Sequence, residues 1–247
     1  MRRSTGRNAR HHITGETAPR RHPAEGGYAR GEETRARIIA TALRVFGEQG
    51  YDQASTRRIA AGAGVNPPAL QYYFGGKEGL HRACGQHIID RFTAVVSPAL
   101  EAAGRVPGGG RAQAVEALCG LLAAMVDGLA EVGSETWGRF IDRSKAEAGP
   151  AMAMIHECVG RPLLEAAVRL VGIAGRRSAE DAVTRLKAHA LLGQVTSIHA
   201  HRATLLKSLN WPQFDARTLA LIKTVVSEHT RAALGAGAPE APSRRRG

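Results

Sequence analysis

The stretch from Ser55 to Leu80 constrains this chain more than any other. Ser55-Thr56-Arg57-Arg58-Ile59-Ala60-Ala61-Gly62-Ala63-Gly64 reads as a short helix closed by glycine. Val65-Asn66-Pro67-Pro68-Ala69-Leu70-Gln71-Tyr72-Tyr73-Phe74 reads as a second short helix, followed by the Gly75-Gly76 turn and Lys77. Ser55 is the expected N-cap of the first helix, with Thr56 as the alternative. Asn66 caps the second, and Pro67 opens it, since its missing N–H is harmless at the first helical position. Gly64 supplies a left-handed residue between them. Two short helices joined this tightly form a helix-turn-helix, a shape that fits the DNA major groove.

At 100° per residue, Leu70 and Phe74 fall on one side of the second helix, where Ile59, Ile38 and Phe46 can cover them. Pro68, Gln71 and Tyr72 fall away from that side, with Ala69 and Tyr73 at its margins. An outward Gln71 can offer both amide groups to an adenine edge, worth roughly 1–3 kcal/mol of discrimination. The hydroxyls of Tyr72 and Tyr73 suit phosphate oxygens, and Lys77 adds a point charge. Core packing accounts for Phe74, but so short a helix cannot bury both tyrosines as well.

The rest of the chain is also helical in pattern. From Glu32, the residues Ile38, Ile39, Ala42, Val45 and Phe46 recur at three- and four-residue intervals, giving one apolar stripe that ends at Gly50. A longer helix is expected from Lys77 to Ala103, with a bend at Ser97-Pro98. After the glycine-rich break at 104–110, helices are expected over 111–130, 135–146, 151–172, 179–209 and 213–234. No segment alternates with period two between hairpin turns. The expected fold is therefore all-α: a three-helix N-terminal DNA-binding unit (31–80) followed by a larger helical bundle (81–234).

Charge is concentrated at the ends. Of the formal +12, residues 1–30 carry seven Arg against two Glu, and residues 235–247 carry three Arg against one Glu. The first segment is expected to be a disordered basic arm and the second a disordered tail, because neither holds enough apolar surface to offset its ordering entropy. The basic excess favours polyanion partners without selecting DNA among them. Cys84, Cys119 and Cys158 are odd in number and scattered, which fits a reducing cytoplasm better than a disulfide framework. The longest apolar run, Leu118 to Val126, is short of the ~18 residues of a membrane span, so no membrane is expected. No phosphate-binding glycine loop, zinc-protease helix or nucleophile elbow is present, and no feature favours an enzyme.

With these residues set out, 33–81 resembles the DNA-binding domain of the tetracycline-repressor (TetR) family of bacterial regulators. The positions that carry the resemblance are Ile38-Ile39, Ala42, Phe46, Gly50-Tyr51, Arg57, Ile59-Ala60, Ala63-Gly64-Val65, Leu70, Phe74, Lys77-Glu78 and Leu80. The resemblance implies that the third helix enters the major groove of a double-stranded operator, with Asn66, Gln71, Tyr72, Tyr73 and Lys77 as contacts. It also implies that Ser55, Thr56 and Arg57 touch phosphate. Gln71 stands where the family commonly has tyrosine. Pro67-Pro68 stands where a lysine-glycine pair often reaches bases, which removes backbone donors there. Arg139 to Leu170, Leu191-Leu192-Gly193-Gln194 and the Trp211-Pro212 break look similar to the CerR-like subgroup.

The last two helices are apolar over a broad arc, including Val183, Leu186, Leu191 and Ile198, then Phe214, Ile222, Val225 and Val226. Such an arc suggests burial on two sides, one against the chain's own core and one against a second copy. A homodimer with two recognition helices would read a pseudo-palindromic operator. The resemblance further implies a pocket in the bundle for a small-molecule effector, making the chain a ligand-responsive repressor. Cys119, Met125, Trp137, Phe140, Met152, Met154, His156 and Gln194 are able to line it, and Trp137, Phe140, Met152, His156 and Gln194 are the chosen contacts. No cofactor is expected. A metal-responsive regulator is the weaker alternative: His81 and His87, on either side of Cys84, point about 120° apart on a helix, poor geometry for one tetrahedral site. An architectural or interaction module without small-molecule input is the other.

Overall fold

Gly50 breaks the first helix. In the computed structural model of the protein, which describes residues 25–108, 110–132 and 135–235, α1 (Glu25–Gln53) turns at Gly50, where φ is 80° and ψ is 173°. This left-handed φ favours glycine. α1 begins at Glu25 and not at Glu32, so part of the stretch expected to be loose is helical. The extension brings Gly31 beside Tyr73, whose hydroxyl lies 3.9 Å from where a Cβ would sit. The remainder of the arm, 1–24, and the tail from 236 onward lie outside the described residues.

α2 (Thr56–Gly62) is capped by Ser55, whose Oγ accepts from the Arg58 N–H at 3.4 Å, so the open choice of cap falls to Ser55. α3 (Pro67–Phe74) is capped by the Asn66 side chain, which accepts from the Ala69 N–H at 3.2 Å. It ends on Gly75 at φ 69°, whose N–H returns to the Gln71 carbonyl at 2.9 Å. Ile38, Ala42, Phe46, Ile59, Ala63 and Leu70 are buried together, which is the packing the apolar stripe requires.

α4 (Lys77–Gly104) carries the DNA-binding unit into the bundle and stays continuous through Pro98. α5 (Arg111–Val132) packs against α4, against α8 (Arg161–Gly175), and against α9 (Ala182–Ala200) and α11 (Ala216–Ala233). Arg111–Glu131 is long and apolar enough to cross a membrane by length and composition alone, and half of its most apolar stretch is buried inside the bundle. A core helix covered on several sides becomes apolar nearly all round. α6 (Glu135–Ala146) packs on α1 and α7 (Pro150–Ile155) on α4.

The single helix expected over 151–172 is instead α7, a π-helical turn at His156–Gly160 and α8 in series. The helix expected over 179–209 breaks at His201, with α10 (Arg202–Ser208) following. α9 and α11 also start later than expected, each at an aspartate cap: Asp181 accepts from the Thr184 N–H at 3.0 Å and Asp215 from the Thr218 N–H at 2.9 Å. At the end of the bundle away from α3, arginines satisfy helix-end carbonyls. Arg169 donates to the Ala103 and Val106 carbonyls and Arg111 to that of Leu234.

Candidate nucleic-acid interface and effector cavity

α3 presents two faces because its caps leave it only two turns long. Leu70 is buried and Phe74 half-buried under the Arg35 guanidinium, 5.6 Å from the ring centroid. On the opposite side Gln71 and Pro68 are exposed, and Tyr72 is 84% exposed, the most open large apolar side chain described. An aromatic ring that far into water gains nothing from folding. Tyr73 is half-buried, edge-on to Tyr72 at 5.2 Å between centroids. Ser55 and Arg57 are exposed and Thr56 half-buried at the start of α2. The structure thus gathers Ser55, Thr56, Arg57, Asn66, Pro68, Gln71, Tyr72 and Tyr73 around α2 and α3. Ser55 and Asn66 already spend one acceptor each on the helix ends.

Lys77 differs from the free point charge expected. Its Nζ donates to the Asp52 carbonyl at 2.9 Å and lies 4.9 Å from the centroid of the Tyr51 ring. The reason is local: the turn at Gly50 leaves carbonyls at the end of α1 without helical partners, and an ammonium is a natural cap for them. Arg58, beside Arg57, is an exposed cation absent from the expected set, sharing Glu48 with Arg44.

The bundle encloses a cavity of about 290 Å³ between α4, α5, α6, α7–α8 and α9. Its buried walls are apolar, with Ile88, Ile89 and Phe92 from α4, Met125 from α5 and Leu163 from α8. Exposed polar groups, Asp142, Lys145, His156 and Thr196, stand at the rim. His199 also lines it and is half-buried; burial above all, then the Arg202 charge, lowers its pKa.

Two of the chosen effector contacts, Met152 and His156, line this cavity; Trp137, Phe140 and Gln194 do not. Phe140 is fully buried between α1 and α4, 6.3 Å from the Phe46 centroid and 4.8 Å from that of His81. Trp137 packs edge-on against His87 at 5.1 Å. Gln194 reaches across to α11, its Nε2 3.3 Å from Thr230 Oγ1. In each case the side chain serves a helix–helix contact that helical spacing cannot distinguish from a cavity wall. The α4 triad Ile88, Ile89 and Phe92 was missed, although its spacing along a helix that leaves the DNA-binding unit was legible. His81 and Cys84 are both buried while His87 turns to Trp137, so the three do not converge.

Residues 38–84 match the family model described as bacterial regulatory proteins, tetR family. Residues 114–237 match the model for the C-terminal domain of HTH-type transcriptional dual regulator CecR, a stretch containing the residues that carry the CerR-like resemblance. The HTH-type transcriptional dual regulator CecR of Shigella flexneri is 34% identical over 203 residues, spanning 81% of this chain and 91% of that protein. Among solved structures, a TetR-like transcriptional regulator from Rhodococcus sp. RHA1 superposes with a TM-score of 0.56 at 21% identity, over 83% of this chain and 97% of that one. AibR, solved in complex with isovaleryl coenzyme A and operator DNA, superposes with a TM-score of 0.57 at 18% identity, over 79% and 97%. Both structural likenesses concern the fold.

Proposed function

The chain belongs to the TetR family of transcriptional regulators, and on that premise we propose that it is a homodimeric repressor released from a pseudo-palindromic operator when a small molecule fills the bundle cavity. The observation that carries the reading is the outer face of α3, where Gln71 and Tyr72 stand in water beside a buried Leu70. Gln71 is the base-reading group, and Ser55, Thr56, Arg57, Asn66, Pro68, Tyr72 and Tyr73 position the helix against sugar and phosphate. Lys77 adds its charge when phosphate draws it from the Asp52 carbonyl.

The dimer reading is supported by exposed apolar side chains on the last helices: Val183 and Leu186 on α9, Leu221 and Val225 on α11. Each is still 40–69% exposed, so covering it is worth roughly 1 kcal/mol, a fraction of the full-burial value. A second copy related by a two-fold axis covers them and sets two α3 helices on one face of the duplex. The effector is an amphipathic molecule, its apolar body on Ile89, Phe92 and Met125 and its polar end at Lys145 and His156. A cavity of this size favours a ligand-responsive regulator over an architectural module. The protein acts where its DNA is, in the cytoplasm.

The test uses the full chain and a randomised duplex pool. Repeated selection enriches an inverted repeat, and light scattering of the free protein gives twice the 26.2 kDa chain mass. Retention of no duplex even in dilute salt, or a monomer that binds single half-sites as tightly as pairs, overturns the proposal.

A further inference from the structure

One buried side chain joins the cavity wall to the base of the DNA-reading unit. His81, in the second turn of α4, is 1% exposed. Its ring lies against Phe46 at 4.8 Å, Tyr51 at 4.9 Å and Phe140 at 4.8 Å between centroids. The Ala151 backbone N–H, at the start of α7, donates to Nδ1 at 3.2 Å. Nδ1 is therefore the acceptor, the proton of the neutral ring sits on Nε2, and Nε2–H donates to Ser144 Oγ at 3.3 Å. Both ring nitrogens are satisfied, one by α6 and one by α7. Burial and then the Lys77 charge hold the pKa down at about 4, which keeps the ring neutral. A Cβ on Gly149 would come within 3.0 Å of Cε1, so the α6–α7 turn fits closely over the imidazole.

The surroundings of this ring belong to both functional regions. One turn before it, Lys77 is bonded to Asp52 and lies over Tyr51, and only Gly75 and Gly76 separate Lys77 from α3. The Glu147 carboxylate, also from the α6–α7 turn, accepts from the Tyr51 N–H. On the other side, Ile141 and Lys145 flank Ser144 on α6 and line the cavity, as does Met152, next to Ala151 on α7. Displacing α6 or α7 from within the cavity thus acts directly on the two hydrogen-bond partners of His81.

We propose that His81 is the positioning residue that couples filling of the cavity to the seating of α3: an occupant that shifts α6 or α7 strips the imidazole of Ser144 and Ala151, and the start of α4 moves to recover partners. The inference rests on the effector reading only in taking the cavity as the input. A buried polar group left unpaired is costly, so stripping the imidazole of its partners favours movement of the element that carries it.

A double-mutant cycle tests the coupling without knowledge of the effector. Val159→Phe places a larger side chain on the cavity wall and serves as the occupant. Affinity is measured by fluorescence anisotropy on the tightest duplex that the unsubstituted chain retains from a random pool. In the unsubstituted background, Val159→Phe weakens binding by about tenfold or more, the usual scale of coupling between sites. In the His81→Phe background, which keeps an aromatic ring but no hydrogen bonds, the same substitution costs under about twofold. His81→Asn, whose Oδ1 can accept from the Ala151 N–H, restores most of the tenfold effect. Ser144→Ala carries the same cycle should His81→Phe melt below the assay temperature. Equal losses from Val159→Phe in every background overturn the role of His81 and leave the effector reading standing. No loss from Val159→Phe, nor from Ile141→Trp on the facing wall, removes the cavity as an input and this inference with it.

Discussion

The DNA-reading unit and the bundle use their polar side chains in opposite ways. Around α2 and α3, Ser55 and Asn66 close the helix ends while Gln71, Tyr72 and Arg57 face water. In the bundle, polar groups either cross-link helices, as Gln194 does to Thr230 and His81 to Ser144, or stand at the rim of an apolar cavity. The first surface is assembled by neighbours in sequence and suits a partner larger than the protein's own groove. The second is assembled by residues up to about a hundred positions apart, and its fit depends on how helices sit against one another.

Three perturbations sharpen or break that contrast. The largest effect is expected from Phe140→Ala. If Phe140 is core and not a cavity wall, its loss costs about 3–5 kcal/mol in chemical denaturation. A cost under about 1 kcal/mol would return Phe140 to the set of ligand contacts.

The second perturbation is pH. His81 is neutral in the folded chain with a pKa of about 4, against an ordinary 6.5. The unfolded chain binds the extra proton first, so this group's contribution is complete above about pH 6.5 and is lost as pH falls from there towards 4. The slope in that window is at most about 1.4 kcal/mol per pH unit from this one group. His81→Phe should flatten the curve between pH 4 and 6.5, and an unaltered curve would show that His81 is not the group responsible.

The smallest effect is expected from Gln71→Ala, which leaves folding intact. It relaxes base preference at one position per half-site by roughly 1–3 kcal/mol and leaves the salt dependence alone. Undiminished discrimination in a selected-site experiment would remove Gln71 from the readout. A lowered melting temperature would show that its side chain has a structural task the exposed geometry does not reveal.

Much of this was legible in the residues. Asn66 and Pro67 announce the start of α3, Gly75 its end, and the spacing of Leu70 and Phe74 its buried face, because caps and helical periodicity are local rules. The starts of α9 and α11 lie a few residues later than expected, although Asp181 and Asp215 are ordinary N-caps. The π turn at His156–Gly160 and the break at His201 left no recognisable pattern. That Trp137, Phe140 and Gln194 do not line the cavity was hidden for a different reason: an inward-facing side chain on a helix can meet a neighbour or an empty space with the same spacing. Lys77 looked free because the carbonyl that holds it, Asp52, lies twenty-five positions earlier in the chain.

By itself, then, the order of amino acids determined the all-α class, the helix-turn-helix and the outward aspect of Gln71 and Tyr72, all of which depend on contacts within a few turns of chain. Only the tertiary structure decided which inward residues bound the cavity, that Lys77 is tethered and that His81 joins α4 to α6 and α7. Those outcomes depend on gaps and alignments between helices distant in sequence, where a shift of about an ångström separates a packed wall from an open one.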